Sequence, residues 1–352
     1  MVTVHGLARL ALITLVTTML PGCGTLYLAQ AARGQWQVMH AREPLDKVIA
    51  SGKTTPELRA RLTEVRAARE FASRELALPD NSSYRTYADV KRPYVVWNVV
   101  AAPEFSVEPR RWCFPIAGCV AYRGYFAEAK ATKFAAGLNA QGFDVVIGGV
   151  PAYSTLGKLS DPVLNTMLGY GDSELAAIIF HELSHQMVYV AGDSEFNESF
   201  AVTVEETGLE RWLKLRGHES ELARYKSRGQ RQDQYVALFT RARAQLAAIY
   251  AQTIPPEQMR ERKRAAFADL AKQIQGLEKR FGVRSGYSDW VKEGLNNAHI
   301  ASVATYYDCV PGFERLLALH NGNLPQFYSA VRDISRKTRA ERHALLCMSQ
   351  PS

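Results

Sequence analysis

Two histidines four residues apart, with a glutamate after the first, stand in the run Phe180-His181-Glu182-Leu183-Ser184-His185-Gln186. On a helix, positions i and i+4 share a face, so both imidazoles can reach one metal ion. Glu182 is rotated by about 100° from His181, which puts its carboxylate beside a metal rather than on it. There it can take a proton from metal-activated water and hand it to a leaving amine. A surface helix that happens to carry two histidines is the plain alternative. Against it, Leu175, Ala176, Ile178, Ile179 and Phe180 make the preceding turns apolar. A helix of that composition is expected to be buried, and buried imidazole and carboxylate groups need compensation. A zinc ion supplies it.

A catalytic zinc takes three protein ligands and keeps one position open. Glu198 follows His185 by thirteen residues and opens the next predicted helix, after a turn just long enough for an antiparallel return. It is the expected third ligand. Asp193 and Glu195 are rivals in the turn, where the backbone holds a ligand less firmly. A Glu198 that only profits from the helix dipole is the plain reading. Glu205 and Glu206 are candidates to hold the second ring nitrogen of a ligand histidine. Amide hydrolysis also needs a donor to the developing oxyanion. Tyr306 is the expected one, with Tyr307 and Tyr153 as rivals, and each is readable as simple packing. For catching a substrate's terminal ammonium, Glu195, Glu205 and Glu174 are equal candidates.

These groups must be positioned by a mainly helical chain. The pattern predicts helices over 54–78, with Thr55 as cap and Pro56 in the first turn, and over 120–139. Residues 94–100 and 143–150 are β-branched and read as strands. The second of them ends in glycines and is expected at a sheet edge beside the 173–190 helix, where a substrate backbone could pair with it. A helix over 197–217 follows the metal helix. Helices over 232–252 and 257–281, parted by Ile254-Pro255-Pro256, read as an antiparallel hairpin with solvated charged faces. The 290–346 stretch reads as helical with one break at Pro311-Gly312. The expected class is α+β, with a small sheet packed on the metal helix.

The chain has 352 residues and a net charge of +8, from 43 Lys and Arg against 35 Asp and Glu. The length is enough for one large core or two modest ones. Its charge is spread along the chain with few interleaved aromatics, so no nucleic-acid partner is expected. Residues 1–22 combine Arg9, an apolar run from Leu10 to Leu20 and small residues, the order of a signal peptide. Leu20-Pro21-Gly22-Cys23 resembles a bacterial lipobox, which implies that Cys23 is lipidated and begins the mature protein. Gly24 is not the Asp that retains such lipoproteins at the inner membrane. The resemblance therefore implies an outer-membrane lipoprotein facing the periplasm of a Gram-negative bacterium. That leaves Cys113, Cys119, Cys309 and Cys347 for two bridges in an oxidising compartment. Three pairings are open; a short turn favours Cys113 with Cys119, and Cys309 with Cys347 would pin the tail.

His-Glu-Leu-Ser-His-Gln followed by Asn-Glu-Ser-Phe-Ala resembles the zinc aminopeptidases of the gluzincin class. The resemblance implies His181, His185 and Glu198 as ligands and Glu182 as general base. Those enzymes have a longer insertion than the 12 residues between His185 and Glu198, and their G-A-M-E-N substrate loop has no counterpart. More of the chain is similar to a family of predicted bacterial lipoprotein aminopeptidases. It shares the lipobox, the run from Tyr122 to Phe126, the run from Gly148 to Gly157, the metal helix and Asn296-Asn297-Ala298. The expectation is a zincin-like, zinc-dependent peptidase, an aminopeptidase by that resemblance, that hydrolyses peptides in the periplasm. Its expected parts are a helical 23–90, a catalytic core over 91–217 and a helical 218–352 that completes the cleft. A non-catalytic lipoprotein acting as a binding or structural module is the competing class.

Overall fold

In the computed structural model, residues 22–114 and 118–347 are described, with side chains from residue 26. The expected signal peptide, as far as residue 21, and the side chain of Cys23 lie outside the described residues. In chain order the first elements are α1 (Gly22–His40), β1 (Arg42–Pro44), α2 (Leu45–Ala50), α3 (Pro56–Arg74) and β2 (Thr86–Ala88). Then come β3 (Val96–Ala102), β4 (Trp112–Phe114), β5 (Gly118–Val120), β6 (Tyr122–Tyr125), α4 (Glu128–Asn139), β7 (Asp144–Val150) and β8 (Val163–Leu164). A 3-10 turn leads into α5 (Asp172–Ser184) and α6 (Ser194–Leu215), followed by α7 (Glu219–Tyr250) and α8 (Pro256–Phe281). The chain closes with α9 (Ser288–Glu293), α10 (Asn297–Tyr307), α11 (Val310–Leu319), α12 (Leu324–Ser335) and α13 (Arg339–Leu346). The fold is α+β and mainly helical, with small sheets.

The main core forms around α3, α5 and α6. Thr55 caps α3 by accepting the Leu58 amide, and Pro56 fills its first turn. Its apolar stripe, including Leu62, Val65 and Phe71, is buried with Phe180 of α5 and Trp212 of α6. Arg69 leaves the same helix fully buried and donates to the carbonyls of Pro79, Asn81 and Ser83. Those carbonyls satisfy its donors and hold the 79–83 segment against α3. The C-terminal helices wrap the other side of α6, where Phe196 and Phe200 meet Phe313 and Phe327. Cys309–Cys347 ties α11 to the end of α13, and Cys113–Cys119 closes the β4/β5 hairpin.

β3 lies between β6 and β7, antiparallel to both. Alternation gives the sheet two faces. Trp97, Val99 and Ala101 pack with Tyr125 on Ala131, Ala135 and Leu138 of α4. The opposite face, with Val96, Asn98 and Val100, is turned toward two cavities. α10 contacts β3 and β7 and also reaches α6 and α7. A second core, around Phe239, Leu246, Phe267 and Ile274, joins α7 to α8 as the expected hairpin.

Several predicted boundaries shift. The 120–139 stretch is not one helix: 122–125 pairs with β3, and only 128–139 coils. An aromatic, β-branch-flanked start outweighed the alanines later in the stretch. α5 stops at Ser184 instead of running to 190. The break expected at Pro311-Gly312 falls at Asp308-Cys309, with Pro311 in the first turn of α11, so Tyr306 and Tyr307 sit in the last turn of α10. β7 is an edge strand as expected, but its packing partners are β3, α4 and α10.

Candidate metal centre

The turn after α5 is built by side chains that take over from the helix. Gln186 accepts from Asn81 Nδ2 (2.7 Å) and donates to Ser83 Oγ (3.3 Å). Asn197 then brackets Val190, accepting its N–H and donating to its carbonyl, both at 2.8 Å. Asp193 caps α6 by accepting the Phe196 amide. Its carboxylate is also held by Arg342 (2.7 and 2.9 Å) and His343 (2.8 Å) of α13. Together these bonds fix the return of α6 along α5 and bring Glu198 opposite the two histidines.

His181 Nε2 lies 3.3 Å from Glu198 Oε2, and His185 Nε2 lies 3.6 Å from the same oxygen. The three donor atoms are all within 4.8 Å of one another. On its far side the His181 ring bonds Glu205 through Nδ1 at 2.9 Å. Of the two glutamates considered for that role, Glu205 fills it. Glu206 does not: burial, with Glu205, Glu314 and Asp233 near it, pushes its carboxyl up to about 8. His185 Nδ1 is buried without a partner among the described residues.

Burial would raise the Glu198 carboxyl, but the His185 and His181 imidazoles overcome it and hold the group far below the usual carboxylate range. Burial works against a charged His181 ring; its hydrogen bonds to the Glu198 and Glu205 carboxylates reverse that and raise it well above an ordinary histidine. Glu182 is raised chiefly by burial, with the two imidazoles opposing. Two imidazole nitrogens and one carboxylate oxygen that converge at a cleft wall are a donor set that fits zinc. The Glu205 partner on the first ring is the outer support such ligands take.

These residues line a cleft of ≈ 490 Å³. Tyr306 lines it too, placed by Ser199, whose hydroxyl donates to the Tyr306 carbonyl (3.1 Å) and accepts the Cys309 amide (3.2 Å). The Glu198 carboxylate, then burial, keeps the Tyr306 phenol protonated well above its usual range. Tyr153 lines the cleft with its hydroxyl on Gln35, whereas Tyr307 borders the neighbouring cavity.

Asp193 is committed to Arg342 and His343, and Glu195 pairs with Arg111 and Arg339. Asp193, Glu195 and His343 do form a second cluster of possible ligands, but those arginines make it an ion-pair network. His218 pairs with Glu221, and Glu174 with Arg228. None of Asp193, Glu195, Glu174 or His218 lines the cleft.

Sequence reading missed Tyr122 and Tyr189, which face the same cleft, and Tyr27 and Gln35 of α1. The alternating aromatics of the run from Tyr122 to Phe126 were a usable strand signal. Nothing in α1 announced a contact with elements about a hundred residues away.

A family model described as "Putative aminopeptidase" matches residues 26–346. No curated protein and no solved structure matches the chain.

Proposed function

The chain belongs to this aminopeptidase family, and from that premise we propose that it is a zinc-dependent peptidase of the periplasm, anchored to the outer membrane through a lipidated Cys23. The observation that carries the reading is the convergence of His181, His185 and Glu198 on one point of the cleft wall, with Glu182 between the histidines in sequence. A bound zinc ion would acidify water and polarise the scissile carbonyl.

The chain's own residues supply the rest. Glu182, a buried carboxylate with a raised proton affinity, takes the proton from the attacking water and gives it to the leaving amine. The Tyr306 phenol, held protonated, donates to the oxyanion. Glu205 fixes the His181 ring so that Nε2 faces the metal. Two disulfides support an oxidising compartment, and the lipobox supports the anchor. A gluzincin-like ligand plan follows from the same three residues.

The test is the zinc content and peptide turnover of residues 24–352 secreted into an oxidising periplasm, beside Glu198→Ala and Glu182→Gln. The parent is expected to hold about one zinc per chain, and Glu198→Ala to lose it. Glu182→Gln should keep the metal and lose nearly all turnover. A folded parent without zinc, or an active Glu182→Gln, sinks the mechanism. The first of those results would favour the binding-module class.

A further inference from the structure

Beside the cleft lies a second cavity of ≈ 270 Å³. Asn98, Tyr122, Val150 and Tyr306 line both, so the two adjoin across a shared wall that includes the expected oxyanion donor. The strand register explains why the sheet leaves room there. Asn98 stands opposite Gly124 on β6 and opposite Gly148 on β7. A Gly-Asn-Gly row therefore crosses the sheet, with Gly124 on the cleft and Gly148 on the second cavity. A row with one side chain in three forms a trough between bulkier neighbours.

The second cavity is walled by Val100, Val146, Tyr287, Trp290 and Val303. Among the described residues, no Asp, Glu, Lys, Arg or His lines it; its polar groups are neutral, from Asn98, Ser302, Thr305 and tyrosines, so a charged group entering would lose hydration without gaining an opposite charge. Apolar side chains gain from the same walls. Above Gly148 the space is open: a Cβ built there meets no atom of the described residues within 4 Å.

We propose that this cavity is a side-chain subsite of the same active site. It takes a neutral apolar side chain, aromatic or branched aliphatic, from the residue next to the one at the scissile bond, while the Asn98 amide faces the substrate backbone between them. The proposal rests on the peptidase reading above and adds the substrate class.

Gly148→Leu fills the cavity from a backbone position that a side chain can occupy, and Gly148→Ala fills it in part. On a peptide library, Gly148→Leu should lower kcat/KM by about tenfold or more for apolar residues at one position, that next to the residue at the scissile bond. Zinc content and preferences elsewhere should stay, with Gly148→Ala intermediate. An unchanged profile overturns the proposal. A readout without turnover uses the Glu182→Gln protein and the fluorescence of Trp290, titrated with N-acetyl-phenylalanine amide. Saturable binding that Gly148→Leu weakens by a similar factor supports the subsite. Equal binding in both proteins, or no saturable change in the Gly148 form, overturns it. Binding that depends on Gly148 while no peptide is cut by the parent keeps the pocket and removes the peptidase reading.

Discussion

The bond between His181 Nδ1 and Glu205 decides which ring nitrogen is left to face the cleft. Glu205→Ala is therefore expected to weaken zinc binding by about 10–100-fold with the three ligands intact, measured by competition with a chelator of known affinity. Asp193 acts on the fold instead. It is 1% exposed and neutralises Arg342, itself 6% exposed. Asp193→Ala strands that cation and uncaps α6, at a cost of about 3–5 kcal/mol; urea unfolding at pH 7 would read it. Burial raises the Asp193 carboxyl, but His343 and Arg342 outweigh it and hold the group below the usual range. Its contribution is thus present above the unfolded carboxyl range and is lost as pH falls through its folded value. The spacing of His181, Glu182 and His185 was legible because helix geometry is local. Excluding Asp193 as a ligand was not, because its partners lie about 150 residues away.

α1 forms part of the cleft wall through Tyr27, Ala31, Ala32 and Gln35. Gln30 pins it to the end of β6, donating to the Gly124 carbonyl and accepting the Phe126 amide, both at 3.3 Å, and Tyr27 packs on Tyr125 and Arg123. The approach is close at Gly34, where a Cβ would come within 2.1 Å of the Phe126 ring. Gly34→Val should drive α1 and Phe126 apart, costing about 1–3 kcal/mol in overpacking. Because Phe126 lines the cleft, KM for peptides should rise while zinc content holds; steady-state kinetics and metal analysis would separate the two. At the other end, Cys309–Cys347 closes a loop with a sequence separation of 38. Cys347→Ser is expected to lose about 2–4 kcal/mol, read as a lower thermal midpoint under non-reducing conditions.

Over the whole molecule, two buried groups give stability opposite pH slopes. Burial holds His299 down to about 4 against 6.5. The folded state then binds fewer protons than the unfolded chain in that window, so stability falls as pH drops from 6.5 toward 4. Glu206 is held up at about 8 against 4.5, chiefly by burial. Its stabilisation is full below 4.5 and is lost as pH rises through 8. The slopes oppose each other between 4.5 and 6.5; from there to 8, of these two groups, Glu206 still acts. Glu206→Gln should raise the thermal midpoint at pH 8 and flatten its fall above 6.5, as melting curves from pH 5 to 8.5 would show.

Local geometry made four features readable from the chain alone: the histidine pair on one helix face, the Thr55 cap, the α7/α8 hairpin and the strand that became β7. That Glu198 returns to the two histidines was legible because the helix-turn-helix spans few residues. Tertiary structure decided the rest. It sent Asp193 and Glu195 to arginines, gave His181 its Glu205 partner, broke the 120–139 stretch into strand and helix, and set α1 as a cleft wall. Those outcomes depend on which distant segment supplies a charge, a ring or an edge, and no pattern of spacing along the chain encodes that choice.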